Sequence, residues 1–359
     1  MRFYTSLILV FLLTACVQKQ ERHKTDQAID FVKIEYSKMF GIAKFKDYSQ
    51  LFFLDNADTT WSLRNDELQP NVKLAVLSSV FAGYLELMGK QDQIIAVDNY
   101  KYYCDSVLND RFIQKKVTEV GEEGQINLNK LLLSKPDVLI SSSFLTQDKS
   151  LTKRLKNSGI KIVYCDNFKE QNPLARAEWI KLFGFLLNCQ TSADSIFKKI
   201  VFSYQEQISN ISPNAKKPLV LTDALYSDVW NVPGGNSYTA KLIEDANGLY
   251  VFADKKDLFS YPLSFELVLK KAQHAKIWIH VNQYKTKDEL YKANNRYAFL
   301  NVFKESKIYN NNKRENKYGG NDFWEIGVVR PDIVLKDLIS IFNNPNISEE
   351  KLYFYTRVD

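Results

Sequence analysis

The chain has 359 residues, 45% hydrophobic and 25% charged, an ordinary globular balance with room for one large or two medium domains. The net charge of +6 is modest and the lysines are scattered, which sets nucleic acid aside as a partner. The 23 Phe, 20 Tyr and 5 Trp belong mostly to the core, and any surplus in loops suits a flat or greasy ligand.

The first signal along the chain is at its start. Arg2 precedes an apolar run over 3–13, and Leu13-Thr14-Ala15-Cys16 follows. This is the layout of a secretory signal, with small residues before a cysteine in place of an Ala-x-Ala site. The expectation is a bacterial lipoprotein signal, 1–15, with Cys16 as the lipid anchor and 16–26 as a polar tether. The run is too short for a spanning helix, which needs about 20 residues. An exported, tethered domain cannot rely on cytosolic ATP or nicotinamide cofactors, so binding, scavenging and extracellular hydrolysis rise.

Turns are expected over 47–50 and 55–60, between short strands. A rhythm then begins: an apolar run over 74–77, a helix over 80–88 ended by Gly89, and a strand over 94–97. A helix over 128–133 is broken at Lys135-Pro136-Asp137, and strands follow over 138–140 and 160–164, with a helix over 151–157 between them. Short continuous apolar strands alternating with helices predict parallel sheets covered on both faces. From 174 to about 211 the apolar residues recur at helical spacing, with a possible interruption near Asn188. At about 1.5 Å per residue that run spans roughly 50 Å, long enough to bridge two lobes. The rhythm resumes with strands over 219–221 and 277–279, an extended stretch over 229–232, and helices over 238–246, 264–272 and 332–342. The expected organisation is a first lobe over 27–172, a connecting helix over 173–212 and a second lobe over 213–359. Each lobe is α/β with a central, mostly parallel sheet, and lobes of this kind take ligands at the carboxyl ends of their strands.

Four cysteines and three histidines limit the chemistry. Once Cys16 is lipidated, Cys104, Cys165 and Cys189 remain, at spacings that fit no zinc pattern and read as free thiols. His23 falls in the tether, and His274 and His280 do not share one helical face. No histidine metal cage, Ser-His-Asp set or Gly-rich phosphate loop is present, so no metal, cofactor or catalytic activity is expected.

The order of these elements resembles the periplasmic substrate-binding proteins of the iron-complex and cobalamin ABC importers. The segment from Asn127-Leu128-Asn129 through Lys135-Pro136-Asp137 to Val138-Leu139-Ile140 is similar to the family's first-lobe helix-strand element, with Val120-Gly121 upstream. Leu87-Met88-Gly89 and Ile94 fit its first helix-strand pair. Ser264-Phe265-Glu266-Leu267, followed by Ile277-Trp278-Ile279, is similar to the second-lobe counterpart. Three stretches resemble a lipoprotein branch: Val229-Trp230-Asn231-Val232-Pro233-Gly234-Gly235, Arg296-Tyr297-Ala298-Phe299, and Gly319-Gly320-Asn321-Asp322-Phe323-Trp324-Glu325. The resemblance implies one docking glutamate per lobe for the arginines of a permease. Glu266 matches the second, whereas the first falls on Asn129, with Glu122 or Glu123 as substitutes.

It also implies a ligand in the cleft between the lobes. From loops after strands, the contacts expected are Tyr102, Arg111, Phe144, Trp230, Tyr261 and Trp324, with Tyr100, Tyr103, Tyr238, Phe323 and Arg296 as further candidates. Flat aromatics suit a corrin, a porphyrin or catecholate rings, and guanidinium forks match anionic groups. Each aromatic has a competing role in the core. The implied function is a monomeric, membrane-anchored binding protein that serves an ABC permease and its ATPase in the periplasm. A ferric siderophore is the first choice of cargo, cobalamin the second and haem the third. An exported hydrolase, or a sensor or adhesin on the same fold, are the alternatives.

Overall fold

The computed structural model describes residues 28–55, 58–122, 125–305 and 307–359. The signal segment, Cys16, the tether and Glu123 lie outside the described residues. Among those described, no helix is long and apolar enough to cross a membrane.

The chain enters through a four-stranded antiparallel sheet: β1 (Asp30–Phe31), β2 (Phe40–Lys44), β3 (Ser49–Asp55) and β4 (Asp58–Arg64). Its turns are tighter than expected, since residues 49–50 and 58–60 are already in strands. The first parallel sheet follows: β5 (Leu74–Val76), β6 (Ile94–Val97), β7 (Thr118–Glu119), β8 (Val138–Ser141) and β9 (Lys161–Tyr164), in the spatial order β7-β6-β5-β8-β9. Its residues alternate between two apolar layers. Ala75, Leu139 and Ile162 face the helices Leu128–Ser134 and Lys149–Asn157. Val76, Ile140 and Val163 join the main core with Phe81, Tyr84 and Phe183. Burial on both faces explains why these strands read as unbroken aliphatic runs.

The second parallel sheet repeats the plan. It is built from β10 (Leu219–Thr222), β13 (Leu249–Tyr250), β15 (Ile277–Ile279), β16 (Ile308–Asn310) and the antiparallel β17 (Thr356–Arg357), in the order β13-β10-β15-β16-β17. A small antiparallel sheet of β11 (Leu225–Tyr226), β12 (Val229–Val232) and β14 (Tyr261–Leu263) stands beside it. The fold is thus α/β with two parallel sheets. Strand order reverses at β5/β8 in one and at β10/β15 in the other. Such switch points open crevices at strand carboxyl ends.

The expected connecting helix is divided. Helices run over Pro173–Glu178, Ile180–Leu186 and Gln190–Ser209. The main break is at Asn188, which is left-handed with φ 51°, and the chain turns back there so that the last two helices lie against each other. Gly184 permits the approach, since a Cβ on it would meet the Ala193 Cβ at 2.6 Å. The third helix, 20 residues and about 30 Å long, packs on both Ile180–Leu186 and the second-lobe helix Pro331–Asn343. It is the physical bridge.

A buried carboxylate fixes the entry segment to the first of these helices, Pro173–Glu178. Glu178 is fully buried and accepts the backbone N–H groups of Glu35 (2.8 Å), Tyr36 (2.7 Å) and Ser37 (2.9 Å). Lys181 supplies the countercharge at 2.8 Å. Beside it Glu170 accepts from the Ser37 hydroxyl and the Trp179 indole N–H. Removing one member of a buried ion pair typically costs about 3–5 kcal/mol, because the partner charge is left without compensation. Glu178→Ala is therefore expected to lower stability by about that amount in urea unfolding. A loss no larger than that of an ordinary surface substitution, within about 0.5 kcal/mol, sinks this role.

Candidate binding cleft

The carboxyl ends of β5, β6, β10, β15 and β16 converge on a cleft of about 390 Å³. The first lobe contributes Ser79, at the start of the helix Ser79–Leu87, and Tyr102, in a tight turn after β6. The second lobe contributes Asp223 after β10, His280 and Asn282 after β15, Asn311 after β16, and Thr239 from the start of the helix Tyr238–Asp245. The segment from Glu315 to Trp324 closes one side.

Three of the second-lobe residues have left-handed backbone: Asp223 (φ 61°), His280 (φ 60°) and Asn282 (φ 55°). Non-glycine residues in this region carry strain and persist where the surroundings hold them. Here the holding groups are visible. The Asp223 N–H donates to the Ile279 carbonyl, and its own carbonyl accepts from the Trp278 indole. The His280 N–H donates to the Tyr309 carbonyl, and its Nε2 pairs with the Tyr355 hydroxyl at 2.6 Å. Burial pushes the His280 imidazole down to about 4, so the ring is neutral near pH 7. Asn282 donates from Nδ2 to the Ala224 carbonyl at 3.1 Å.

Two buried polar atoms of the cleft wall have no hydrogen-bond partner among the described residues: Asp223 Oδ2 and Asn311 Nδ2. Desolvation pushes the Asp223 carboxyl up to about 7. Buried polar atoms are normally satisfied, so these two are available to a bound group or to water. Among the described residues no set of three or more His, Cys, Asp or Glu side chains could hold a metal ion. Cys104, Cys165 and Cys189 are free thiols.

The two lobes are tied together at the edge of the cleft. Glu325, fully buried in a π-helical turn over Phe323–Gly327, accepts the N–H groups of Cys104 (2.5 Å) and Asp105 (3.3 Å) from the first lobe. Asn316 donates from Nδ2 to the carbonyls of Lys101 (2.8 Å) and Tyr103 (3.0 Å). The turn rests on the helix Ser79–Leu87 at Gly83, where a Cβ would meet the Glu325 carbonyl oxygen at 2.7 Å. Burial pushes the Glu325 carboxyl up to about 8 despite the Cys104 N–H, with the nearby Glu86 charge adding to the effect.

Of the expected ligand contacts, Tyr102 and Trp324 line the cleft, both half-exposed. The Tyr102 hydroxyl donates to Glu122 at 3.1 Å. Phe144 is exposed in the turn after β8, stacked on Phe168 at 5.2 Å, outside the cleft lining. Tyr261 sits in β14 under the Lys255 ammonium, 3.7 Å from its ring centroid, and is not part of the cleft. Two further expectations are corrected. Trp230 is fully buried, donates to the Thr222 carbonyl at 2.9 Å and packs with Trp278, Phe265 and Tyr297. Arg111 donates to the carbonyls of Asp92 and Ile94, at the amino end of β6, the end away from the cleft. Among the further candidates, Tyr103 and Tyr238 are buried, Tyr100 stacks on Phe112, and Arg296 pairs with Glu266.

Glu266 and Asn129 occupy the same place on equivalent helices. Each is exposed at the second position of its helix, after a side-chain cap from Ser264 or Asn127. Arg296 lies 3.2 Å from Glu266. The Glu266 carboxyl is held below its usual range, first by its own backbone N–H and then by the Ser264 hydroxyl.

The sequence expectation missed Asp223, His280, Asn282 and Asn311. Their signal was position: a polar residue directly after a buried strand, as in Thr222-Asp223, Ile279-His280 and Asn310-Asn311.

Residues 74–314 match the periplasmic binding protein family, and the chain belongs to it. An uncharacterized lipoprotein of Methanocaldococcus jannaschii is 25% identical over 303 residues, covering 80% of this chain and 69% of that protein. A second uncharacterized lipoprotein of that organism is also 25% identical, covering 60% of this chain and 57% of its own length. The fold is similar to that of a possible iron-binding, periplasmic solute-binding protein of Staphylococcus epidermidis, with TM-score 0.59 and 19% identity over 75% of this chain and 97% of that one. It is also similar to a siderophore-binding protein of Vibrio cholerae bound to Fe3+-Desferal, with TM-score 0.55 and 15% identity over 76% and 99%. The vitamin B12-binding protein of the same organism gives TM-score 0.54 and 15% identity over 77% and 98%. At these identities the solved structures establish the shared fold.

The lobe tie carries a pH dependence. With Glu325 raised to about 8 in the folded chain from an ordinary 4.5, the folded state binds more protons than the unfolded state between those values. Stability contributed by this group is full below pH 4.5 and is lost as pH rises through about 8. Glu325→Gln is expected to flatten part of the decline in urea-unfolding stability across that window, leaving the parts due to Glu86 and Asp223, each raised to about 7, and to Asp98, raised to about 6. An unchanged slope refutes the assignment.

Proposed function

We propose that this protein is the lipid-anchored binding component of an ABC importer, which takes a ferric siderophore into the cleft and delivers it to the permease and its ATPase. The observation that carries this reading is the cleft itself. The carboxyl ends of the second sheet present unsatisfied polar atoms on Asp223 and Asn311, with Tyr102 and Trp324 exposed beside them. Exposed aromatic side chains next to open hydrogen-bonding positions are the makings of a small-molecule site. The lipoprotein relatives and the siderophore-binding neighbour support the anchoring and the cargo class. We take the working units as a first lobe over 27–172, a connector over 173–212 and a second lobe over 213–359. Binding in the periplasm, by a monomer held to the membrane through Cys16 alone, completes the proposal.

In this reading Glu266 docks the second lobe onto the permease, and Asn129 takes the matching position on the first. An exposed ion pair is worth only about 0.2–1 kcal/mol, and charge complementarity mainly sets orientation and encounter rate.

Trp324→Ala is expected to lower ligand affinity at least about tenfold by calorimetry, as loss of a central aromatic anchor does. Unchanged affinity removes the cleft from the proposal. Glu266→Ala is expected to reduce uptake and keep affinity, with Asn129→Ala doing less because a neutral amide gives up less than a charge. If Glu266→Ala abolishes binding or leaves uptake intact, the docking role is wrong. Cys16→Ser is expected to appear in the soluble fraction or stay unprocessed. Continued processing with membrane partition excludes the anchor.

A further inference from the structure

The charge pattern of the cleft goes further than the presence of a site. Among the described residues that line it, none is lysine or arginine. Its ionisable members are Tyr102, His280, Asp223 and Glu315. Glu315 is neutralised by Lys285 at 2.6 Å, and Asp223 keeps a buried oxygen with no partner among the described residues. Arg176, a largely buried guanidinium between the lobes, is not part of the lining. It donates to the carbonyls of Phe168 and Glu170 and lies 4.1 Å from the ring centroid of Tyr238.

What the wall offers instead are neutral groups. The amides of Asn282, Asn311 and Asn321, the hydroxyls of Ser79 and Thr239, and the starts of two helices face the space. Asn311 is 6% exposed, and its Nδ2 is the unpaired donor. Two helix starts carry about half a positive charge each, which Asp223 offsets in its ionised form, so that above its value of about 7 no surplus is left for an anion. The site therefore balances near zero, with hydrogen-bond donors and acceptors of both kinds.

Resting on the cleft-binding reading above, we infer that the cleft selects an uncharged or cationic ligand rich in amide or hydroxamate groups, and rejects anionic iron complexes and porphyrin carboxylates. Carbonyl-type oxygens of such a ligand accept from the unpaired Asn311 Nδ2, and its N–H or ammonium groups donate to Asp223. Tyr102 and Trp324 cover its apolar edges. A carboxylate or catecholate taken into the same space loses water and meets Asp223 with no cation to repay it, which costs several decades of affinity for each buried charge. Two chemistries fit: a ferric hydroxamate and a corrinoid with amide side chains. The cleft of about 390 Å³ is toward the small end of ligand sites, roughly 300–1,000 Å³. It encloses the more compact hydroxamate complex more completely.

The test is a tryptophan-fluorescence titration of the full chain with four probes. Ferrioxamine B is a cation and cyanocobalamin is uncharged, whereas haemin and ferric citrate are anionic. One of the first two is expected to bind at least about a hundredfold more tightly than either anion, and which of them does so identifies the source. Asp223→Asn keeps a residue type that tolerates left-handed backbone. Measured at pH 8, where Asp223 is mostly ionised, it is expected to raise affinity for the anions at least about tenfold and to weaken ferrioxamine B. If the natural chain prefers haemin or ferric citrate, the charge inference falls and the cleft reading stands. If none of the four binds, the cleft reading falls and takes the inference with it.

Discussion

The geometry of the cleft depends on one contact, the Glu325 carboxyl group on the Cys104 and Asp105 N–H groups. It joins a turn of the second lobe to a loop of the first, and the residues on either side of it, Trp324 and Tyr102, are the aromatic walls. The Glu325 side chain is fully buried. With its value raised to about 8 the carboxyl is largely neutral near pH 7, and its oxygens still accept from two backbone donors that would otherwise lack partners. Glycines at 83 and 320 let the two backbones meet closely. If the turn were displaced by even the width of a methyl group, the walls of the cleft would part with it.

The same device recurs wherever the chain ends must be secured. Glu178 holds the N–H groups of residues 35–37 on the helix Pro173–Glu178. Asp337, in the last long helix, accepts those of Tyr353 and Phe354 just before β17. In each case an acid on a helix or helical turn gathers the donors of a segment that has no sheet or helix of its own there. Apolar packing alone would leave those donors unsatisfied. These carboxylates thus supply register to segments whose sequence carries little secondary-structure preference.

That economy explains what could be read from the chain beforehand. The strands at 94–97, 138–140 and 277–279 were legible because both faces are buried, so every side chain is apolar. The start of the Phe265–Ala272 helix was legible from the Ser264 cap. The two-residue strands β7, β13 and β17 were not, since two residues show no period. Asn188 signalled a break, but not that the chain would reverse there, because the reversal depends on Gly184 meeting Ala193. Trp230 was misplaced because glycines and asparagines follow it. Its strand alternates exposed and buried along Val229–Val232, and strict alternation puts Trp230 and Val232 inside. Arg111 looked like a free cation because sequence does not show which carbonyls a helix end will meet. The polar residues of the cleft escaped notice because each stands alone in sequence and gains meaning only when neighbouring strands bring their ends together.

The left-handed backbone at Asp223, His280 and Asn282 has a consequence for anyone seeking to redirect the protein to another cargo. These positions sit on the cleft floor, yet most side chains enter them only at a conformational cost of about 1–3 kcal/mol, greatest for β-branched residues. Affinity for new cargo would have to repay that cost before showing as gain. A productive library would confine these three sites to Asn, Asp, Gly and His, and place its diversity on Thr239, Tyr102 and Trp324. The scaffold thereby divides its own cleft into a fixed floor and adaptable walls.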